Sequence, residues 1–429
     1  MANLIFEKSD SLLSFESYQN ADGFSALKKA LKMKPEEIIK EITDSKLVGR
    51  GGAAFPVGRK MSFVANEDSD EKYIICNADE GEPGTFKDRE LLKRNPMKII
   101  ESVIIAAYAI GATKGYLYVR GEYTNIKKII QQGLEDTRKN GYLGDNILDS
   151  GFNFDIEYRS GIGAYICGEE TALIESIEGR TGDPRHKPPF TAEVGLFGKP
   201  TLVHNVETLA NLLPIFNLGS DLYKSYGTPN STGSKLFSVS GNVVNKGVYE
   251  VAFGTSLKDL IYQHCGGVPN NLQIKFVQIG GSSGIVLPGF LLDIDLSYET
   301  FQKLGAGLGS GAIFVADQSV CVLDFLYSTA RFFRHESCGK CTPCREGNRH
   351  ISILLDNFRK GKGKPGDIET LIRTCTVMQE ASFCGLGQSA PRPILSILKY
   401  FKSELMSHLK GKCLTGVCPM EEGGNHLEY

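Results

Sequence analysis

Apolar positions recur along this chain in two rhythms, and the alternation between them predicts an architecture. The stretches FSALKKAL from Phe24 and PEEIIKEI from Pro35 carry apolar residues at helical spacing, and Pro35 suits a first helical position. Pro96 to Gly111 predicts a core helix with Ile99, Ile100, Val103, Ile104 and Ala107 on one face, bounded by a proline and a glycine at the expected ends. The run Tyr73-Ile-Ile-Cys-Asn, the run Tyr116-Leu-Tyr-Val-Arg and the alternating stretch Phe152 to Tyr158 predict strands, with Tyr123 to Arg138 helical. This rhythm of strand and helix implies a largely parallel sheet covered on both faces. Thr201 to Phe216 is expected to return as a helix.

Composition shifts at Asn217 to Ser234, which reads as a linker. Beyond it, Lys235 to Ser240, Val248 to Phe253, a short helix from Leu257 to His264 and the strand Ile274 to Ile279 suit a β-grasp (ubiquitin-like) unit that closes with Gly305 to Asp317. From Ser319 the pattern is helical, over Ser319 to His335, Glu346 to Phe358, Asp367 to Gln379 and Pro391 to Leu409, a four-helix arrangement. The expected fold is therefore α/β with three units: a Rossmann-like domain over residues 1–225, a β-grasp domain over 235–317 and a helical bundle over 319–429.

A length of 429 residues agrees with two or three domains, and 41% hydrophobic with 23% charged residues is ordinary for a globular protein. The formal net charge of −2 leaves no polycationic face, which argues against nucleic acid or acidic lipid as the main partner. The opening MANLIFEKSD lacks a secretory signal, and the longest apolar run, Val103 to Ile110, is too short to cross a bilayer. Eleven cysteines without such a signal imply a reducing compartment, where thiols bind metal or stay free. The expected location is cytoplasmic, with any membrane attachment made through partners.

The most specific chemistry lies in SCGKCTPCREG, Ser337 to Gly347. Cys338, Cys341 and Cys344 follow a C-x2-C-x2-C spacing that lets one loop offer three thiolates to an iron-sulfur cube. Zinc competes less well, because structural zinc sites pair two-cysteine knuckles or recruit histidines and only His335 is near. For the fourth thiolate the candidates are Cys375, Cys384, Cys413 and Cys418. Cys384 lies in FCGLG, where glycines free backbone N–H groups to bond cluster sulfur, whereas Cys375 sits inside a helix. Cys413 and Cys418 read as free thiols, with a second metal site as the alternative, and Cys265 and Cys321 read as packing thiols.

Three further stretches suggest a ligand. GRGGAAFPVGRK, Gly49 to Lys60, is a glycine-rich loop with Arg50, Arg59 and Lys60 for an anion, and Phe55 and Phe63 flank it as stacking surfaces. Asn77, Asp79, Glu80 and Glu82 follow a buried strand, where ligands gather in an open α/β sheet; a solvated acidic turn is the alternative. GIGAYICGEETAL, from Gly161, runs into a helix with Glu169 and Glu170 in its first turn, suited either to capping or to meeting hydroxyl, amide or ring N–H groups. Lys187 and Phe190 follow as candidates to cover a ligand.

Taken together and in order, GRGGAAFPVGRK, CNADEGEPGTFKDR, GIGAYICGEETAL and SCGKCTPCREG with a later CGLG resemble the NADH-oxidising, FMN-carrying F-type subunits of NADH:quinone oxidoreductase (respiratory complex I). The resemblance implies an FMN-binding α/β domain, a β-grasp insertion and a helical bundle with a [4Fe-4S] cluster on Cys338, Cys341, Cys344 and Cys384. It implies FMN contacts at Gly49, Arg50, Gly51, Lys60, Asn77, Asp79, Glu80, Tyr165, Gly168, Glu169, Asn205 and Thr208. It implies NADH contacts at Gly52, Ala53, Phe55, Lys60, Phe63, Glu82, Glu170, Lys187 and Phe190. Departures from the family pattern are Ala54 for a usual glycine, Met61 for tryptophan, Ile162 for a small residue and His204 for asparagine. The implied activity is hydride transfer from NADH to FMN and single-electron transfer to the cluster. The implied partners are a thioredoxin-like [2Fe-2S] subunit and a larger multi-cluster iron-sulfur subunit, in a complex peripheral to the cytoplasmic face of the membrane. The alternative is the diaphorase subunit of an NAD-reducing hydrogenase or formate dehydrogenase; such relatives often carry a cysteine-bearing N-terminal thioredoxin-like domain, and no cysteine precedes Cys76.

Overall fold

The structure, a computed structural model, describes residues 3–6 and 13–420. Three short runs rich in β-branched, aromatic and other apolar residues and one alternating edge run, DIEYRS, form a parallel sheet: β1 (Tyr73–Ala78), β2 (Lys114–Val119), β3 (Asp155–Ser160) and β4 (Thr201–Asn205), in the order β3-β2-β1-β4. The chain leaves β1 towards β2 on one side and returns to β4 on the other. The carboxyl ends of β1 and β4 therefore flank the point where the strand order reverses, the usual place for a ligand crevice. Asn77 and Asn205 are in register there.

The expectation of a helix over Thr201 to Asn205 is corrected by the sheet. Its register beside β1, from Tyr73 opposite Thr201, makes this stretch the fourth strand, and the helix begins only at Val206. The helix Pro96–Ile110 is buried at every position except Tyr108, where the sequence predicts only one apolar face. Its polar residues have partners: Lys98 Nζ donates to the Ile5 carbonyl at 2.9 Å, and Glu101 accepts from the backbone of Leu27 at 2.9 Å and Phe24 at 3.0 Å. Satisfied in this way, charged groups are tolerated inside a core.

The stretch expected to be a linker is packed instead. Tyr223 and Thr232 are buried because both receive the guanidinium of Arg50, whose Nη2 donates to the Thr232 carbonyl at 2.8 Å. Next follow β5 (Ser234–Gly241), β6 (Gly247–Ala252), β7 (Ile274–Ile279), β8 (Ile285–Pro288) and β9 (Ala312–Asp317). They form a mixed sheet in the order β6-β5-β9-β7-β8, with β5 and β9 parallel and the other pairs antiparallel. Phe237, Val239, Leu260, Val277 and Val315 lie in its core.

The remainder is helical: Val322–Glu336, Thr342–Arg359, Asp367–Ala381, a short turn Gly385–Ser389, and Arg392–Tyr400 followed by Lys402–Leu409. The expected last helix is divided at Phe401, whose φ of −128° leaves the helical range. Among the described residues, no helix is long and apolar enough to cross a membrane.

Buried charge joins the first two units. Lys87 Nζ lies 2.8 Å from Asp88 and 2.9 Å from Glu207, and Lys235 of β5 reaches Glu207 at 3.2 Å. Lys235 and Glu207 are wholly buried, so each charge depends on the others. Burial lowers the Lys235 pKa to about 8, against the pull of Glu207.

Candidate functional site

A cleft of about 950 Å³ opens over the carboxyl ends of β1 and β4. Its floor is the glycine loop: Gly49, Gly51, Gly52 and Ala53 line it together with Asn77, Asn205 and Thr208. Arg50 N donates to Thr208 Oγ1 at 2.8 Å, which fixes the loop to the start of the following helix. A Cβ at position 51 would stand 3.0 Å from Asn205 Cβ, so any larger residue would push loop and strand apart by a few tenths of an ångström. Asn77 is held by donating to the Gly168 carbonyl at 2.9 Å, and Asn205 by donating to Asp88 at 2.7 Å. Ala54, where the family usually has glycine, adopts a left-handed φ of 53°.

The cleft's mouth is aromatic. Phe55, Phe63 and Phe190 are 42%, 45% and 54% exposed and all line it. Phe55 and Phe63 have ring centroids 6.4 Å apart, and the Arg59 guanidinium stands over both. Large rings left in water beside a cleft are a ready surface for a flat heterocycle.

The two helix-start glutamates divide the roles left open by the sequence. Glu169 caps its helix, accepting from Thr171 N at 2.9 Å and Ala172 N at 3.0 Å. Glu170 lies between two lysines, with Lys60 and Lys187 each 2.7 Å away. Burial opposes its ionisation, but the two ammonium groups outweigh burial and hold the carboxyl down at about 2. Lys187 also reaches Glu169 at 3.0 Å, so the loop after the helix is drawn over the cleft by charge.

Four residues that the resemblance places at ligands have other partners. Arg50 points its guanidinium away from the cleft, 4.7 Å over the Phe253 ring, so only its backbone faces the loop. Glu80 accepts from Asp88 N at 2.9 Å and Arg89 N at 3.0 Å, tying down the start of the next helix. Glu82 accepts from Ser283 N at 3.1 Å and Ser283 Oγ at 2.9 Å in the middle unit. Tyr165 packs on Phe332 of the helical region, ring centroids 5.1 Å apart. Signals for these roles are weak in the sequence, because most of the partners lie far off along the chain.

Asp79 behaves differently. Both of its carboxylate oxygens are buried without a hydrogen-bond partner, directly behind Gly168. Burial raises its pKa to about 7, against the nearby Arg120. His204 lines the cleft itself, with a buried, unpartnered Nε2, and burial followed by Lys60 lowers its pKa to about 3. An orphaned acceptor and an orphaned ring nitrogen fit a polyhydroxyl chain and a polar ring, and the glycine cradle fits a flat group, so the residues present suit FMN. Asn66, Glu67 and Glu193, which no sequence motif singles out, complete the rim.

Cys338, Cys341, Cys344 and Cys384 together line one small cavity in the helical region. Cys341 is the cap of the helix Thr342–Arg359, and Cys344 lies in its first turn. The thiols have donors around them: Asn348 Nδ2 lies 3.3 Å from Cys344 Sγ, and Phe383 N lies 3.4 Å from Cys341 Sγ. Cys384 caps the turn Gly385–Ser389, whose first N–H groups lie near its sulfur. Such N–H···S contacts support anionic sulfur, so this arrangement suits a cubane cluster. Cys375, one of the alternative ligands, is buried outside this cavity, and burial raises its pKa to about 12. The two sites adjoin: Gly385 lines the large cleft, and its neighbour Cys384 lines the thiol cavity.

Comparison with known proteins follows this division. Residues 42–213 match the Nuo51 FMN-binding domain, 236–286 the SLBB domain and 324–408 the NADH-ubiquinone oxidoreductase-F iron-sulfur binding region. The F 2 subunit of NADH-quinone oxidoreductase from Rhizobium meliloti (strain 1021) is 43% identical over 92% of this chain and 94% of that protein. The HndC subunit of the NADP-reducing hydrogenase from Solidesulfovibrio fructosivorans is 42% identical over 94% of this chain and 83% of that protein. Among solved structures, NAD+-reducing [NiFe]-hydrogenase in the H2-reduced state superposes with a TM-score of 0.83 at 37% identity, over 90% of this chain. This chain spans 65% of that hydrogenase chain's length. With identity above two fifths over nearly its whole length, the chain belongs to the family of NADH-quinone oxidoreductase F-type subunits.

Proposed function

We propose that this chain oxidises NADH at the Gly49 cleft and passes the electrons singly, through FMN and a [4Fe-4S] cluster, to iron-sulfur partner subunits. The observation that carries the reading is the junction at Cys384 and Gly385, where the cleft and the thiol cavity share one stretch of backbone. When bound, FMN supplies the conversion of a two-electron hydride into single electrons. The chain's own residues do the rest. Gly49, Gly51, Asn77, Gly168, Asn205 and Thr208 hold the flavin side of the cleft, with Asp79 behind Gly168 to accept hydroxyl groups. Phe55, Phe63 and Phe190 stack the nucleotide, over the Gly52 and Ala53 backbone. Lys60, Glu170 and Lys187 keep a fixed charge pattern beside it, and the negative member disfavours the extra phosphate of NADPH. Cys338, Cys341, Cys344 and Cys384 hold the cluster.

The domain limits 1–225, 235–317 and 319–429 fit this reading. The strand order β6-β5-β9-β7-β8 supports a β-grasp for the middle unit, and the three long C-terminal helices with the divided fourth support a bundle. Peripheral attachment at the cytoplasmic face, through a [2Fe-2S] subunit and a multi-cluster subunit, fits a chain of this kind. The match to HndC and to the hydrogenase structure favours a second reading, a diaphorase module of a hydrogenase. Anaerobic spectroscopy tests the core: flavin absorbance bleached by NADH, followed by bleaching of cluster absorbance, is expected. Cluster absorbance with no NADH-bleachable flavin would overturn it. Purification from the native source separates the two assemblies by the partner that accompanies the chain.

A further inference from the structure

A second group of ligand-type side chains converges away from the cleft and the thiol cavity. Cys321, His408, Cys413 and Cys418 each bring one ligand atom to within 4.8 Å of all the others. Cys321 Sγ lies 3.3 Å from His408 Nε2 and 3.6 Å from Cys418 Sγ. In a tetrahedral zinc site, with Zn–S about 2.3 Å and Zn–N about 2.0 Å, neighbouring ligand atoms stand about 3.5 to 3.8 Å apart. The spacing is that of a shell around one ion. A two-iron cluster would need its ligands in two separated pairs, and a disulfide would bring two sulfurs to about 2.0 Å.

The surroundings point the same way. His408 is wholly buried, and its Nδ1 lies 2.8 Å from the Glu404 carbonyl oxygen. A carbonyl can only accept, so the proton sits on Nδ1 and Nε2 turns its lone pair towards Cys321, as in ligating histidines braced from behind. Cys321 and Cys418 are buried and Cys413 is half-buried. Three thiols and an imidazole fill a four-coordinate shell without an open position, which marks a structural rather than a catalytic site. Cys321 thus has a role beyond the packing expected of it.

We infer that Cys321, His408, Cys413 and Cys418 bind a structural zinc ion that pins the stretch 410–420 across the start of the helix Val322–Glu336. Glu404 extends the brace, because its carboxylate also takes Lys275 of β7 at 2.8 Å and Val322 N at 3.1 Å. The ion therefore fastens the end of the helical region to the middle unit.

Metal analysis of the anaerobically purified full chain, with flavin and cluster in place, is expected to give roughly one zinc per chain beside the iron. Zinc-edge X-ray absorption should show three sulfur neighbours at about 2.3 Å and one nitrogen at about 2.0 Å. Cys418→Ser and His408→Ala should each lower zinc about tenfold or more while leaving the iron content unchanged. Three results would each overturn the site: no stoichiometric zinc in the unaltered chain, zinc with four sulfur neighbours, or full zinc retention in both variants. The absorption measurement needs no variant, so it decides even if a substituted chain fails to fold.

Discussion

The helical region holds two groups of cysteines built on opposite plans. Cys338, Cys341, Cys344 and Cys384 stand around a cavity, three of them within seven residues at the start of one helix, and Cys384 adjoins the large cleft through Gly385. Cys321, His408, Cys413 and Cys418 meet at a point, and the first of them is 87 residues from the histidine. A cavity ringed by sulfur suits a bulky cluster that exchanges electrons; a point suits an ion that only fastens. The difference teaches that ligand spacing in space, not cysteine count, assigns the chemistry. Of the two groups, the first adjoins the large cleft, through Cys384 and Gly385.

The strongest way to break this contrast is to remove Cys384. In Cys384→Ser the iron content should fall from about four to well under one per chain, while zinc stays at its starting level. Loss of both metals together would mean that the two groups are one cooperative unit. Next in size is Glu404→Gln, which leaves Lys275 without its counter-charge in a mostly buried position. A loss of roughly 2 kcal/mol is expected in denaturant titrations, with iron content unchanged.

A finer test addresses the electron-carrying side alone. Asn348→Leu removes the donor 3.3 Å from Cys344 Sγ, and sulfur without that donor favours the oxidised cluster. Its midpoint potential, read by redox titration under electron paramagnetic resonance, should move negative with zinc unaffected. The smallest effect is expected at Glu170→Gln, which touches neither metal group. Discrimination against NADPH should relax severalfold in kcat/KM, and unchanged discrimination would remove Glu170 from nucleotide choice. Because the folded Glu170 titrates near 2, below its ordinary 4.5, the stability it adds is complete above about pH 4.5. That contribution is lost as pH falls towards 2, and the acid limb of a pH–stability curve should flatten in the variant.

The parts legible in the sequence are those written locally. The Cys338 loop, the Gly49 loop and β1 each carry their signal within about a dozen residues, and the structure brings the two loops to adjoining cavities. What stays hidden depends on distant partners. TLVHN resembles the head of a helix, and only the register beside β1 makes it a strand. The polar stretch from Asn217 resembles a linker because nothing local reveals that Arg50 lies buried against it. Glu82 follows an acidic turn that suggests a ligand, yet its carboxylate meets Ser283 across the unit boundary. His408 and Cys321 give no motif at all, since a site assembled from one residue before the first long helix, one inside the last helix and two after it has no single spacing to read.

The buried charges beneath the cleft carry a lesson for inheritance. Lys235 is contributed by the middle unit, yet the carboxylate that it neutralises, Glu207, belongs to the first unit and is the neighbour of Thr208, which lines the cleft. A chimera that imported another protein's middle unit without a lysine at that place would take away one of the two buried ammonium groups, Lys87 and Lys235, that hold the Glu207 charge in the interior. The first two units are thus bound to drift together, and recombination within this chain should favour their joint exchange over exchange of either alone.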